Sequence, residues 1–81
     1  MELTKAQRAF LQSLRVLNAA GVYPNVLQVA SAIEGGLSYG QTLYRYKVCS
    51  QLSTLGLVRN NGCGRMYELE ITTEGLRALE E

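Results

Sequence analysis

Apolar residues recur along the first part of the chain at the spacing of a helix. Four of them, separated by four, four and three positions, form one stripe on a helical surface: Ala6, Phe10, Leu14 and Leu17. Thr4 followed three residues later by Gln7 has the form of a capping box, which marks a helix start. Gly21 is suited to the positive φ of a helix C′ position. The pattern therefore predicts a first helix over about residues 4–20.

Two further helices follow from the same kind of pattern. Pro24 keeps the preceding residue out of the α region, so residues 22–24 are predicted to form a short extended link. Asn25 is expected to cap a second helix of about three turns that ends at Gly35–Gly36. A third helix is predicted over about residues 39–55, with Gly56 as its C′ residue.

A helical wheel divides the third helix into two faces. The face predicted to be buried consists of Val48, Cys49, Leu52 and Leu55, with Tyr44 or the stem of Arg45. The opposite face, predicted to be exposed, consists of Thr42, Leu43, Tyr46, Lys47, Ser50 and Thr54. This helix therefore presents a mostly polar surface to its surroundings.

The periodicity changes from helical to alternating after residue 56. Leu57–Asn60 is predicted to be a strand, and Asn61–Gly62 has the composition of a type I′ hairpin turn, which needs positive φ at both central positions. Gly64 also allows a slightly longer or bulged loop. Met66–Ile71 alternates in polarity and is predicted to be the return strand. Thr72 is expected to cap a short last helix that extends through Leu79. The order is three helices, a hairpin and a helix within one domain, residues 1–81.

This order of elements resembles the winged helix-turn-helix. The stretch LSTLGLVRN (Leu52 to Asn60) is similar to the exit of that family's recognition helix into its wing. The stretch ITTEGLRAL (Ile71 to Leu79) resembles the strand-to-helix junction of regulators of the multiple-antibiotic-resistance (MarR) and phenolic-acid (PadR) type. The resemblance implies an α+β, mainly α fold: a three-helix bundle containing the helix-turn-helix, a β-hairpin wing and a short C-terminal helix.

Composition narrows the possible functions. The chain has 81 residues and is 47% hydrophobic, typical of one globular domain. It has no histidine, and its two cysteines lack metal-ligand spacing, so we expect neither an enzyme nor a cofactor or metal site. Its N-terminus has no signal-peptide pattern and no apolar run is long enough to span a membrane, which leads us to expect a cytoplasmic protein.

Charge is distributed unevenly although the net charge is only +1. Residues 35–67 contain no acidic residue but four cations: Arg45, Lys47, Arg59 and Arg65. Residues 68–81 contain five glutamates and one arginine. A basic middle and an acidic end can orient a protein on a negatively charged partner.

The resemblance to the winged helix-turn-helix implies that this partner is double-stranded DNA and that the chain is a small, sequence-specific transcriptional regulator. Residues 39–55 would lie in the major groove and residues 60–66 on the backbone or minor groove. The implied DNA-binding residues are Gln41, Thr42, Arg45, Tyr46, Lys47, Ser50, Arg59 and Arg65. Alternative roles exist for most of them: Gln41 can point inward, Thr42 can serve only as a cap, Arg45 lies beside the buried stripe, and Tyr46 can be half-buried packing. Lys47, Arg59 and Arg65 can also be ordinary solvated surface charges.

Other partners fit parts of the pattern. Leu43, Tyr46 and the hairpin edge are also consistent with a protein-interaction module that does not bind DNA. Exposed tyrosines can stack the bases of single-stranded nucleic acid or RNA. A homodimer would let two copies read two half-sites, with the first helix as the candidate dimer surface.

Overall fold

The computed structural model describes residues 2–33, 42–63 and 66–80, and for residues 42–45 it describes the backbone only. In these segments the protein is α+β and mainly helical. The elements are α1 (Lys5–Ala19), α2 (Val26–Ala32), α3 (Thr42–Thr54), β1 (Val58–Asn60), β2 (Leu69–Ile71) and α4 (Thr73–Glu80). None of the helices in these segments has both the length and the apolar character needed to cross a bilayer.

The predicted helix starts are confirmed by their capping hydrogen bonds. The Thr4 hydroxyl accepts from the Gln7 N–H at 3.1 Å, and the Gln7 side chain accepts from the Thr4 N–H at 3.0 Å. Asn25 and Gln28 form the same reciprocal pair at the start of α2, at 2.8 and 2.9 Å. Each box satisfies two backbone donors that a helix start leaves without partners.

Thr72 begins α4, as predicted, and also fixes the helix to the rest of the fold. Its hydroxyl accepts from the Gly75 N–H at 3.1 Å and donates to the Gly56 carbonyl at 2.7 Å. One side chain therefore caps α4 and ties its start to the end of α3.

Two helix ends confirm the predicted glycine positions. Gly21 and Gly56 have φ values of 81° and 77°. The N–H of the residue after each glycine donates to a carbonyl five residues back, Val22 to Leu17 and Leu57 to Leu52, both at 2.9 Å. This is the Schellman arrangement, in which a left-handed residue lets the chain leave the helix with its last carbonyls satisfied.

The second helix is shorter than predicted. It ends at Ala32 after seven residues, because Ile33 has φ −81° and ψ 125° and is already extended. The predicted end at Gly35–Gly36 is therefore wrong, and these two glycines lie outside the described residues. The predicted start of α3 near residue 39 also lies outside them.

The core forms where α1, α2, α3 and the sheet meet. Its fully buried large side chains are Phe10, Leu11, Leu14, Pro24, Val26, Val29, Leu52, Leu57 and Leu69. Val48 and Cys49 are also buried, as predicted for the inner face of α3. Leu55, predicted to share that face, is 45% exposed. The wheel fails there because α3 ends at Thr54, and Leu55 already belongs to the turn at Gly56.

The two strands pair antiparallel, with Val58 opposite Ile71 and Asn60 opposite Leu69. The connection at Asn61–Gly62 is not a two-residue type I′ turn but a longer loop, the alternative that Gly64 allowed. The return strand begins at Leu69 and not at Met66, and Gly62 does not have positive φ. A Cβ atom on Gly62 would lie 1.7 Å from the Met66 carbonyl oxygen, so glycine is needed there for close backbone approach. We call residues 61–68 the hairpin loop.

Asn18, near the end of α1, joins the sheet to the extended link. Its Nδ2 donates to the carbonyls of Val22 and Leu69 at 2.9 and 3.1 Å, and its Oδ1 accepts from the Ile71 N–H at 2.8 Å. The Leu69 N–H donates to the Pro24 carbonyl at 2.9 Å, so the link lies beside β2. One amide thus supplies hydrogen bonds that the outer edge of a two-stranded sheet would otherwise lack.

Gly75 allows α4 to pack closely on the chain that leads into β1. A Cβ atom at this position would lie 2.4 Å from the Leu57 carbonyl oxygen and 2.7 Å from the Ile71 side chain. The glycine is buried inside the helix. Because glycine has no side chain, α4 can lie closer to the sheet than any other residue at this position would allow.

Candidate nucleic-acid interface

The outer face of α3, which we define as Tyr46, Lys47, Ser50 and Thr54, is exposed. Burial of Val48, Cys49 and Leu52 against α1 and α2 fixes the rotation of the helix and turns this face away from the core. The sequence prediction is confirmed for these four residues. The described α3 therefore presents an ammonium group, two hydroxyl groups and a phenol to the surroundings.

Contacts on both sides of this face hold α3 in place. Gln7 Nε2 on α1 donates to Gln51 Oε1 on one side at 3.1 Å. Tyr46 meets Tyr67 of the hairpin loop on the other side, with ring centroids 6.3 Å apart and planes inclined by 66°. This edge-to-face geometry is favoured for aromatic rings. The hairpin loop is therefore joined to the same helix that carries Lys47 and Ser50.

Lys47 supplies positive charge on the outer face of α3. No carboxylate of the described residues lies within ion-pair distance of the exposed Lys47. The helix also contains no acidic residue along its length. Lys47 can thus engage an external anion without first giving up a partner among the described residues.

Arg59 differs from Lys47 because it has an internal partner. It lies opposite Glu70 in the sheet register, and its Nη2 is 2.5 Å from Glu70 Oε1. The same oxygen accepts from Asn61 Nδ2 at 3.0 Å. The hydrogen bonds from Arg59 and Asn61 lower the pKa of Glu70, and the bond to Glu70 raises the pKa of Arg59. Arg59, which lies in the acid-free stretch of the sequence, is thus paired with a glutamate on the neighbouring strand.

The base of the hairpin loop is organised by Asn60. Its Oδ1 accepts from the N–H groups of Gly62 and Glu68 at 2.9 and 3.0 Å. The Asn61 N–H continues the ladder by donating to the Glu68 carbonyl at 2.9 Å. A side-chain oxygen and a backbone carbonyl therefore hold the two sides of the loop together beyond the strands.

Four of the residues predicted to bind DNA lie outside the described part of the structure, either wholly or by their side chains. Gln41 and Arg65 lie outside the described residues, and so do the side chains of Thr42 and Arg45. Of the other four, Tyr46, Lys47 and Ser50 lie together on the outer face of α3, and Arg59 lies on β1. Glu70 and Asn61 were not predicted as part of the site, although the alternation of polarity along residues 66–71 already placed Glu70 on the exposed face.

The two cysteines lie in different surroundings, as the sequence predicts. Cys49 is buried, and burial raises the pKa of its thiol, which keeps it in the unreactive form. Cys63 is exposed in the hairpin loop. Within residues 2–33, 42–63 and 66–80, no three side chains of the metal-binding types cluster.

Comparison with known proteins finds no matching family model, no significantly similar curated protein and no significantly similar solved structure. The resemblance to the winged helix-turn-helix thus rests on the short stretches quoted above and on the order of the elements.

Proposed function

We propose that this chain is a winged helix-turn-helix domain that binds double-stranded DNA in a sequence-specific manner and regulates transcription. The outer face of α3 would lie in the major groove, and the hairpin loop would lie against the backbone or minor groove. The observation that carries the proposal is the exposed, acid-free face of α3, which bears Tyr46, Lys47 and Ser50 directly before a hairpin.

The shape of α3 suits this role. A major groove about 12 Å wide admits one helix, provided that one side of the helix is free of packing. The described part of α3 is 13 residues long, and over residues 46–54, whose side chains the structure describes, the inner face packs against the core. Lysine neutralises phosphates or reads guanine, and serine and threonine hydroxyls donate to or accept from base edges.

The electrostatic contribution is modest. Roughly four to six cations at the interface give a log–log salt slope of about −4 to −5 per protomer. Tight binding then needs two copies on half-sites about one helical turn apart, or about 10 base pairs. We therefore propose a homodimer as the form that binds a full operator.

The binding test uses a labelled duplex of random sequence, three helical turns or about 30 base pairs long. Fluorescence anisotropy measured over a range of KCl concentrations should give salt-dependent binding. Lys47→Gln should weaken it and reduce the slope by about 0.9. Arg77→Gln removes an exposed charge from α4, outside the proposed interface, and should change neither quantity. Equal effects of the two substitutions, or no binding to any duplex, would refute the proposal.

Sequence specificity has its own test. Selection of bound duplexes from a random pool should enrich one motif, and sedimentation of the complex should show two copies per site. Enrichment should be lost in a Ser50→Ala, Tyr46→Ala double variant, which removes groups able to contact bases but keeps every charge. A pool that stays random after several rounds would restrict the function to non-specific binding.

A protein-interaction module is the second candidate, and exposed apolar side chains favour it. Met66 is 77% exposed in the hairpin loop and Leu55 is 45% exposed at the end of α3. The double substitution Lys47→Glu, Arg65→Glu separates the two functions. It should abolish binding to duplex DNA through charge repulsion, whereas an apolar protein interface should tolerate it.

A further inference from the structure

Glu70 lies directly across the sheet from Arg59 and offsets its positive charge. The two residues are direct cross-strand neighbours, and the carboxylate is held by Arg59 Nη2 at 2.5 Å and by Asn61 Nδ2 at 3.0 Å. The Arg59 side chain is nevertheless 62% exposed, and that of Glu70 is 29% exposed. An anion from outside can therefore reach this pair.

We propose that Glu70 competes with DNA phosphate for Arg59 and so limits the affinity that the hairpin contributes. The inference rests on the proposed function. A phosphate that approaches Arg59 meets a guanidinium whose charge is already offset by a carboxylate. Binding must either displace that carboxylate or accept its repulsion, and both reduce the gain from the contact.

The sheet register selects Glu70 for this role over its neighbour Glu68. Both glutamates lie on the outward side of the return segment, two positions apart. Glu68 lies opposite Asn61 and forms no ion pair with the described residues, whereas Glu70 lies opposite Arg59. Lys47 on α3 has no such competitor among the described residues. The proposed interface thus combines Lys47 on the helix with a restrained cation on the hairpin.

This restraint lowers affinity without changing sequence preference. Phosphate contacts strengthen binding to every sequence alike, whereas contacts from α3 to base edges distinguish sequences. A weaker phosphate contact therefore lowers the affinity for the proper site and for non-specific sites by the same factor. Glu70 thus limits how tightly the hairpin holds any duplex and leaves the choice of sequence to α3.

The test measures binding of the same random duplex of about 30 base pairs at several KCl concentrations. Glu70→Gln keeps an oxygen that can accept from Asn61 but removes the charge. It should tighten binding roughly two- to five-fold and steepen the salt slope by about 0.9. The matched control Glu68→Gln removes the same charge two residues away and should leave the slope unchanged. When Glu70→Gln is added to Arg59→Gln, binding should differ from that of Arg59→Gln alone by no more than the effect of the control.

Three results would overturn the inference: Glu70→Gln weakens binding, it changes binding no more than Glu68→Gln does, or its effect persists without Arg59. The first would mean that Glu70 positions Arg59 toward DNA. If any one of these results is obtained while Lys47→Gln still weakens salt-dependent binding, the role of Glu70 is refuted and the proposed DNA binding is retained. If the wild-type protein binds no duplex, both the role of Glu70 and the proposed DNA binding are refuted. Should Glu70→Gln fail to unfold cooperatively, Glu70→Thr, a residue favoured in strands, replaces it.

Discussion

Tyr46 of α3 and Tyr67 of the hairpin loop form an edge-to-face pair whose ring centroids are 6.3 Å apart. The pair joins two elements that are separated by β1 in the chain. Tyr67 is half-buried and packs against the core, and Tyr46 is 38% exposed. Through this contact the core determines where the hairpin loop lies relative to the outer face of α3.

The two rings should be energetically coupled. A double-mutant cycle with Tyr46→Ala and Tyr67→Ala, measured by urea denaturation, should give a coupling free energy of about 0.5–1.5 kcal/mol. The same cycle with Tyr46→Ala and Val16→Ala, an exposed residue of α1, should be additive within about 0.5 kcal/mol. If both cycles are equally additive, the aromatic contact does not join the helix to the loop.

Asn18→Ala should be among the most damaging substitutions at a polar position. It removes an acceptor from the Ile71 N–H and donors from two carbonyls, so the free energy of unfolding should fall by about 1–3 kcal/mol. Gln12→Ala on the exposed side of α1 should change it by less than about 0.5 kcal/mol. Similar urea midpoints for the two variants would show that water replaces the amide without cost.

Gly75→Ala should destabilise the protein, although alanine is the better helix former by about 1 kcal/mol. The added Cβ would meet the Leu57 carbonyl oxygen at 2.4 Å, and relieving this overlap should cost about 1–3 kcal/mol. Thr73→Ala, at the exposed start of the same helix, should be nearly neutral. A higher melting temperature for Gly75→Ala would mean that α4 moves away from the sheet freely.

Stability should depend on Glu70 in the acid range. Its folded-state pKa lies below the ordinary value of 4.5, so the folded protein binds fewer protons than the unfolded chain. The stabilisation is present above the ordinary value and is lost as the pH falls through the lowered one. The difference in urea midpoint between wild type and Glu70→Gln should therefore shrink on acidification. A difference that is constant between pH 7 and pH 2 would contradict this assignment.

Local signals predicted three helix starts and two helix ends. The caps at Thr4, Asn25 and Thr72 and the C′ glycines Gly21 and Gly56 depend on hydrogen bonds within a few residues, and the sequence shows both partners. The inner face of α3 was predicted for Val48, Cys49 and Leu52 because helical periodicity holds through Thr54.

Features that depend on distant residues were missed or mistaken. The Asn61–Gly62 pair has the composition of a tight turn, but the Asn60 side chain binds the Gly62 and Glu68 N–H groups and keeps a longer loop closed. Counting charges along residues 35–67 suggested that Arg59 has no acidic neighbour, whereas the sheet register brings Glu70 to it. Asn18 attracted no prediction, since its partners lie about 50 residues later in the chain.

The hydrogen bonds that close the base of the hairpin loop make the fold independent of the side chain at Cys63. Because Asn60 gathers the N–H groups of Gly62 and Glu68, the two sides of the loop are joined to each other before and after Cys63 in the chain. The exposed Cys63 side chain can therefore be exchanged while the helices keep their places.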